Sequence, residues 1–172
     1  MDLREKVTEA LGGLEQLVAK VPGYQGYKEK EMRREADKLL REHLARQFEE
    51  QRRSITNLQK KLIDSRQVLL LDELEEGVMK LQFLIDRLKT ASYGYAGFFD
   101  AVKVKEEQLD AIYEFDNALL DEVPKVEAAI NRVSEAITAR EGVAEAIAEL
   151  VSIIHSVNET FNKRQDVILQ VS

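Results

Sequence analysis

Residues 74–88 read LEEGVMKLQFLIDRL. Leu74, Val78, Leu81, Ile85 and Leu88 follow spacings of four, three, four and three, the repeat of a helix that lays one seam against a partner helix. Phe83 and Leu84 widen that seam. Working outward, the rest of the chain repeats the pattern. It predicts an all-α fold: an elongated, antiparallel, coiled-coil-like bundle of four to five helices in one domain spanning 1–172.

Upstream, Leu3, Val7, Leu11, Leu14, Val18 and Val21 form one apolar stripe of a first helix, with Asp2 and Glu5 spaced as a capping box and Pro22-Gly23 as its stop. Gly12-Gly13 inside it marks a close helix approach or a weak point. A second helix is expected from Tyr27 or Lys28 to Asp64, about 55 Å at 1.5 Å per residue. Its stripe runs through Met32, Ala36, Leu40, Leu44, Phe48, Ile55, Leu58 and Leu62, with a gap at Gln51-Arg52-Arg53. Asp64-Ser65 is the one soft spot before the third helix, which leaves a turn at 64–67 and an unbroken helix both open.

Downstream, a fourth helix is expected over 106–121, with a new one starting at Val123 or Pro124 because proline is tolerated in a first turn. From there the stripe passes Val126, Ile130, Val133, Ile137, Ile147, Leu150, Ile154, Val157 and Phe161. That predicts one helix of about 45 residues, bent at Gly142, in preference to two helices broken at 140–142.

Two glycine–aromatic corners interrupt this pattern. Ser92–Asp100 reads SYGYAGFFD, and Gly23–Tyr27 reads GYQGY, so both carry Gly-Tyr-x-Gly-aromatic. Tyr93, Tyr95, Phe98, Phe99, Tyr24 and Tyr27 are the candidate interaction residues. Either their rings form a recognition platform, since aromatics dominate interface energetics, or they cap the core where the chain reverses.

Charge bounds the partners. The net charge is −7. Between Lys28 and Lys61 there are 11 Lys/Arg and 7 Asp/Glu, a balance of +4; between Asp100 and Glu159 there are 5 and 14, a balance of −9. An acidic chain argues against nucleic acid. The basic stretch Arg33-Arg34, Arg41, Arg46, Arg52-Arg53 and Lys60-Lys61 is interleaved with glutamates. That favours a solvated or salt-bridged face over a surface for anionic partners. The absence of cysteine removes disulfides, thiolate catalysis and cysteine metal sites. His43 and His155 lack the Glu-x-x-His spacing of di-iron bundles, and no nucleophile or phosphate-loop motif occurs. Thus no catalytic residue, metal or cofactor is expected. The first residues form no apolar signal core, and no run reaches the roughly 20 apolar residues of a membrane span. A cytoplasmic protein without stable membrane insertion follows.

The leading expectation is a non-enzymatic interaction or scaffold bundle that pairs with a protein partner or with itself. Its longest helices outreach the others and leave apolar stripe for a second chain to cover. The alternatives are a small-molecule- or metal-binding bundle with its site near 92–100, and an anionic-surface binder acting through the basic helix 28–61.

Overall fold

The computed structural model describes residues 3–91 and 105–169, with side chains from Gly12 to Ile168. Five α-helices account for nearly all of it: α1 (Leu3–Lys20), α2 (Arg33–Asp64), α3 (Leu71–Thr90), α4 (Glu106–Ala139) and α5 (Val143–Leu169). Short 3-10 turns at Lys30–Met32 and Val68–Leu70 lead into α2 and α3. The all-α bundle read from the heptads is the fold.

Four helices make a square. α2 and α3 form one antiparallel hairpin, and α4 and α5 form a second. The hairpins lie side by side, α2 against α4 and α3 against α5, while α1 packs outside on α4. Neighbours across the hairpins run parallel. Gln51 donates to the Val123 carbonyl at 2.7 Å, and Lys61 donates to the Ser134 carbonyl at 3.0 Å, so α2 and α4 ascend together. α3 therefore ends, and α4 begins, at diagonally opposite corners of the same end.

Both hairpins reverse through the same device. Arg66 and Arg140 adopt the left-handed conformation, at φ 60° and 56°. Behind Arg66, Gln67 N–H bonds to the Leu62 carbonyl and Arg66 N–H to that of Ile63; behind Arg140, Glu141 N–H bonds to Ala136 and Arg140 N–H to Ile137. This is the Schellman closure, normally built on glycine. Gln67 then donates to the Ile137 carbonyl at 3.4 Å, tying the two turns together.

Several expectations are corrected. The expected 45-residue helix is two helices broken at 140–142, because the Arg140 reversal lets α5 return along α4 and bury both stripes. The expected helix start at Val123 or Pro124 is absent, since α4 runs unbroken through Pro124. A helix-interior proline costs about 3 kcal/mol. Here Leu119 and Leu120 before it and Val126 and Ile130 after it are all buried in one phase. At about 1.5–3 kcal/mol per buried side chain, that packing outweighs the break. Pro124 itself faces outward. α2 begins at Arg33, because Tyr27 is occupied in the corner before it. In α1, Leu17 is buried and Val18 is exposed, the reverse of the expected stripe. The two are adjacent, and the α4 surface selects the phase Leu14–Leu17–Val21. Phe83 likewise lies outside the seam, 59% exposed, while Leu84 takes the core position. The gap expected at Gln51 is a buried glutamine bonded across to α4. Gly13 is approached by α4, and its carbonyl accepts from Asn117 at 3.0 Å.

Candidate functional site

Two features of the bundle stand out: a buried polar network at one end and an apolar face on the outside of α3.

The network begins with the corner before α2. Gly23 and Gly26 both have positive φ, 81° and 84°, which swings the chain inward so that Tyr24 and Tyr27 are buried. Gly26 is required twice over. A Cβ there would lie 2.5 Å from Leu14 Cδ1 and 2.6 Å from Tyr113 Oη. The close approach lets Tyr27 N–H donate to the Tyr113 hydroxyl at 2.6 Å. The Tyr27 ring meets Tyr24 edge-on at 5.9 Å and Tyr113 at 5.1 Å.

The Tyr27 hydroxyl then donates to Asp116 Oδ2 at 2.6 Å. Asp116, on α4, is fully buried and accepts on Oδ1 from Arg164 Nε of α5, also at 2.6 Å. Arg164 Nη2 crosses the core to Asp37 Oδ1 of α2 at 2.5 Å and reaches the Tyr27 hydroxyl at 3.3 Å. Asp37 Oδ2 accepts from Arg41 Nε at 2.7 Å, and Arg41 Nη1 donates to the Leu88 carbonyl of α3 at 2.6 Å. Arg33 Nε donates to the Tyr27 carbonyl at 2.7 Å. Two carboxylates and two guanidiniums thus alternate across α2, α4 and α5, and the Leu88 carbonyl ties α3 to them.

Such groups tolerate burial only when paired and hydrogen-bonded. Burial pushes the Asp116 carboxyl above its ordinary range; the Arg164 charge and the bonds from Tyr27 and Arg164 oppose that. Burial also raises the hydroxyls of Tyr24, Tyr27 and Tyr113, with the nearby Asp116 charge adding to it. The arrangement holds protons and charges in place. Its members bond to one another, and its physical consequence is a fixed pairing of helix faces.

The outer face of α3 is of a different kind. Among the described residues the large apolar side chains left exposed are Val18, Ile63, Val68, Leu69, Met79 and Phe83, and all except Val18 belong to the α2–α3 hairpin. Leu69 is 93% exposed and Met79 65%. Met79 and Phe83 fall four residues apart on α3, beside Asp72, Glu75 and Glu76, while Val68 and Leu69 lie in the 3-10 turn that precedes it. A shallow depression on that face is lined by Asp72, Glu75, Glu76, Met79, Lys80 and Phe83. Arg87 stacks on Phe83 at 5.1 Å and on Phe161 at 4.8 Å and donates to Asn162 at 2.6 Å, which fixes the Phe83 ring against the bundle.

Of the residues singled out in the sequence, Tyr24 and Tyr27 come together inside the network, with their rings in the core. Tyr93, Tyr95, Phe98 and Phe99 lie outside the described residues. In the basic stretch Arg33 and Arg41 point into the core, whereas Arg34, Arg46, Arg53 and Lys60 are exposed. His155 is exposed, 4.0 Å from Glu159. His43 is partly buried, and that burial, with Arg46 nearby, lowers its pKa. Among the described residues no group of three or more His, Asp or Glu is placed to hold a metal ion, and no helix is long and apolar enough to cross a membrane.

Asp37 and Arg164 went unnoticed in the sequence, yet both occupy core phase. Arg164 falls three residues after Phe161 and four before Ile168, both fully buried. A charged residue in step with a buried stripe was the available signal. The chain matches no protein-family model, no curated protein and no solved structure.

Proposed function

We propose that this chain is a non-enzymatic, cytoplasmic interaction protein that self-associates through the outer face of α3. One observation carries the reading: among the described residues the exposed large apolar side chains, Val18 apart, all belong to the α2–α3 hairpin, with Met79 and Phe83 on the outer face of α3. Scattered single hydrophobics are ordinary on a surface, whereas a gathered set rimmed by charge is characteristic of protein contact sites. The length mismatch that first suggested self-association is smaller than expected, because the 45-residue helix is two helices. The α3 face supplies the argument in its place. A reading through basic helix 28–61 loses support, since Arg33 and Arg41 serve the core.

The face sets the expected strength. A 20-residue helix is about 30 Å long, so its burial falls at the low end of specific interfaces, of the order of several hundred Å² per partner. A micromolar dimer is expected. Sedimentation equilibrium tests it. The chain, 19.7 kDa as a monomer, should show a concentration-dependent rise in mass, and Met79→Ser/Phe83→Ser should return it to monomer with helicity intact. A strictly monomeric chain at high concentration rejects the reading.

A further inference from the structure

We infer that the buried charges Asp37, Asp116 and Arg164 set the register of one hairpin against the other, admitting one pairing of α2–α3 with α4–α5 out of several that the apolar stripes allow. This register lies inside a single chain, apart from the self-association at the α3 face.

Apolar packing alone leaves the register open. Within each hairpin a tight turn fixes it, between Asp64 and Leu71 and between Ala139 and Val143. Between the hairpins, α3 ends at Thr90 and α4 begins at Glu106, so no tight turn sets one against the other. Core residues recur every seven positions, as with Phe48, Ile55 and Leu62 on α2 and Leu119, Val126 and Val133 on α4. Sliding one hairpin by a heptad, about 10 Å, therefore returns apolar rows to apolar rows.

The buried charges break that degeneracy. Each stands one heptad from an apolar member of its own row: Asp37 from Leu44, Arg41 from Phe48, Asp116 from Leu109 and Arg164 from Val157. Two buried bonds join side chains of one hairpin to side chains of the other. Arg164 Nη2 donates to Asp37 Oδ1 at 2.5 Å, and the Tyr27 hydroxyl, in the corner leading into α2, donates to Asp116 Oδ2 at 2.6 Å. A heptad slip moves Arg164 off Asp37, to Leu44 or past the start of α2, and an unpaired buried charge strongly opposes it. Gln51 to Val123, Gln67 to Ile137 and Asn158 to Lys80 also cross between the hairpins, but they end on backbone carbonyls, which a neighbouring turn offers as well. Arg87 with Asn162 and Lys61 with Thr138 lie towards the rim, where water can stand in for a lost partner.

The test replaces the charges by apolar side chains together, Tyr27→Phe, Asp37→Leu, Arg41→Met, Asp116→Leu and Arg164→Met, so that none of them is left buried and unpaired. The chain has no cysteine, so cysteine pairs report the register at low concentration, where disulfides form within one chain. A Cβ at Gly77 on α3 would lie 3.4 Å from Val151 Cγ2 on α5, so Gly77→Cys/Val151→Cys marks the observed register. Gly77→Cys/Ala144→Cys marks a slip of one heptad. With the native charges the 77/151 pair should oxidise roughly tenfold or more faster than 77/144, because a disulfide needs its Cα atoms within about 7 Å. In the apolar background the chain should stay helical, 77/151 should lose that advantage, and the amide spectrum should show more than one set of resonances. An apolar variant that keeps the 77/151 preference and a single set of resonances overturns the inference. Loss of folding in this variant and in a second one with methionine at 37 and 116 also overturns it, since the charges would then supply stability and not register.

Discussion

Replacing Arg164 with methionine probes the network that joins the four helices. The guanidinium is fully buried and bridges Asp116 on α4 and Asp37 on α2, at 2.6 and 2.5 Å. Methionine fills a similar volume but leaves the two carboxylates without that charge. Breaking a buried pair from one side costs about 3–5 kcal/mol. For a chain of this size each kcal/mol lowers Tm by about 2–4 °C, so Arg164→Met should melt roughly 6–20 °C lower. The cost should depend on pH with a definite sign. Burial already raises Asp116, and losing Arg164 removes the charge that most opposes it, so its folded pKa climbs further above the unfolded one. A carboxyl raised on folding destabilises wherever it must ionise, and that penalty fades as pH falls through the folded pKa. The deficit of Arg164→Met should therefore shrink on acidification from neutral towards the ordinary carboxylate range. Adding Asp116→Asn, which keeps an oxygen for the Tyr27 hydroxyl, should restore part of the loss at pH 7. The assay is denaturant and thermal unfolding followed by circular dichroism. A loss under about 1 kcal/mol, the size of an ordinary surface change, or no rescue by Asp116→Asn, would refute the reasoning.

Gly26→Ala should destabilise through two routes, about 1–2 kcal/mol for a left-handed residue and about 1–3 kcal/mol for displacing the Tyr113 hydroxyl from Tyr27 N–H; urea unfolding measures the sum. Arg140→Gly should stabilise by about 1 kcal/mol, because glycine adopts the left-handed conformation without the Cβ penalty. Its thermal midpoint should rise, and a fall would show that the Arg140 side chain does more than occupy the turn. In alkali the tyrosines Tyr24, Tyr27 and Tyr113 hold their protons above the ordinary range. A group raised on folding contributes stability below its unfolded pKa and loses it above, so stability should fall from about pH 10 upward. Their ultraviolet ionisation should coincide with loss of helix; ionisation within an intact helical fold would contradict their burial.

The heptad of 74–88 and the stripes of α2, α4 and α5 were legible because repeated apolar residues must face one core. The breaks were legible only as alternatives, a turn at 64–67 and a stop at 140–142 set against unbroken helices. Arginine stands at both left-handed positions, 66 and 140, where glycine would have announced a stop, and Pro124 announces a stop that packing overrides. Leu17 and Val18, like Phe83 and Leu84, are adjacent apolar pairs whose inward member is chosen by the neighbouring helix. The candidate site was the least legible part. Tyr24 and Tyr27 were picked as rings for a partner, and their glycines did mark a special corner. What that corner builds depends on Asp37, Asp116 and Arg164, residues far apart in sequence that no local pattern joins. The α3 face was hidden for a related reason: Phe83 sits beside the seam and was counted with it.

Concentration-dependent hydroxyl-radical footprinting measures directly whether that face is where copies meet. Met79 and Phe83 should lose reactivity as the chain is concentrated through the micromolar range expected of a small interface, while Val18 on α1 keeps its own. Unchanged reactivity of Met79 and Phe83 while the mass rises, or protection centred on α1, would contradict an interaction surface on α3.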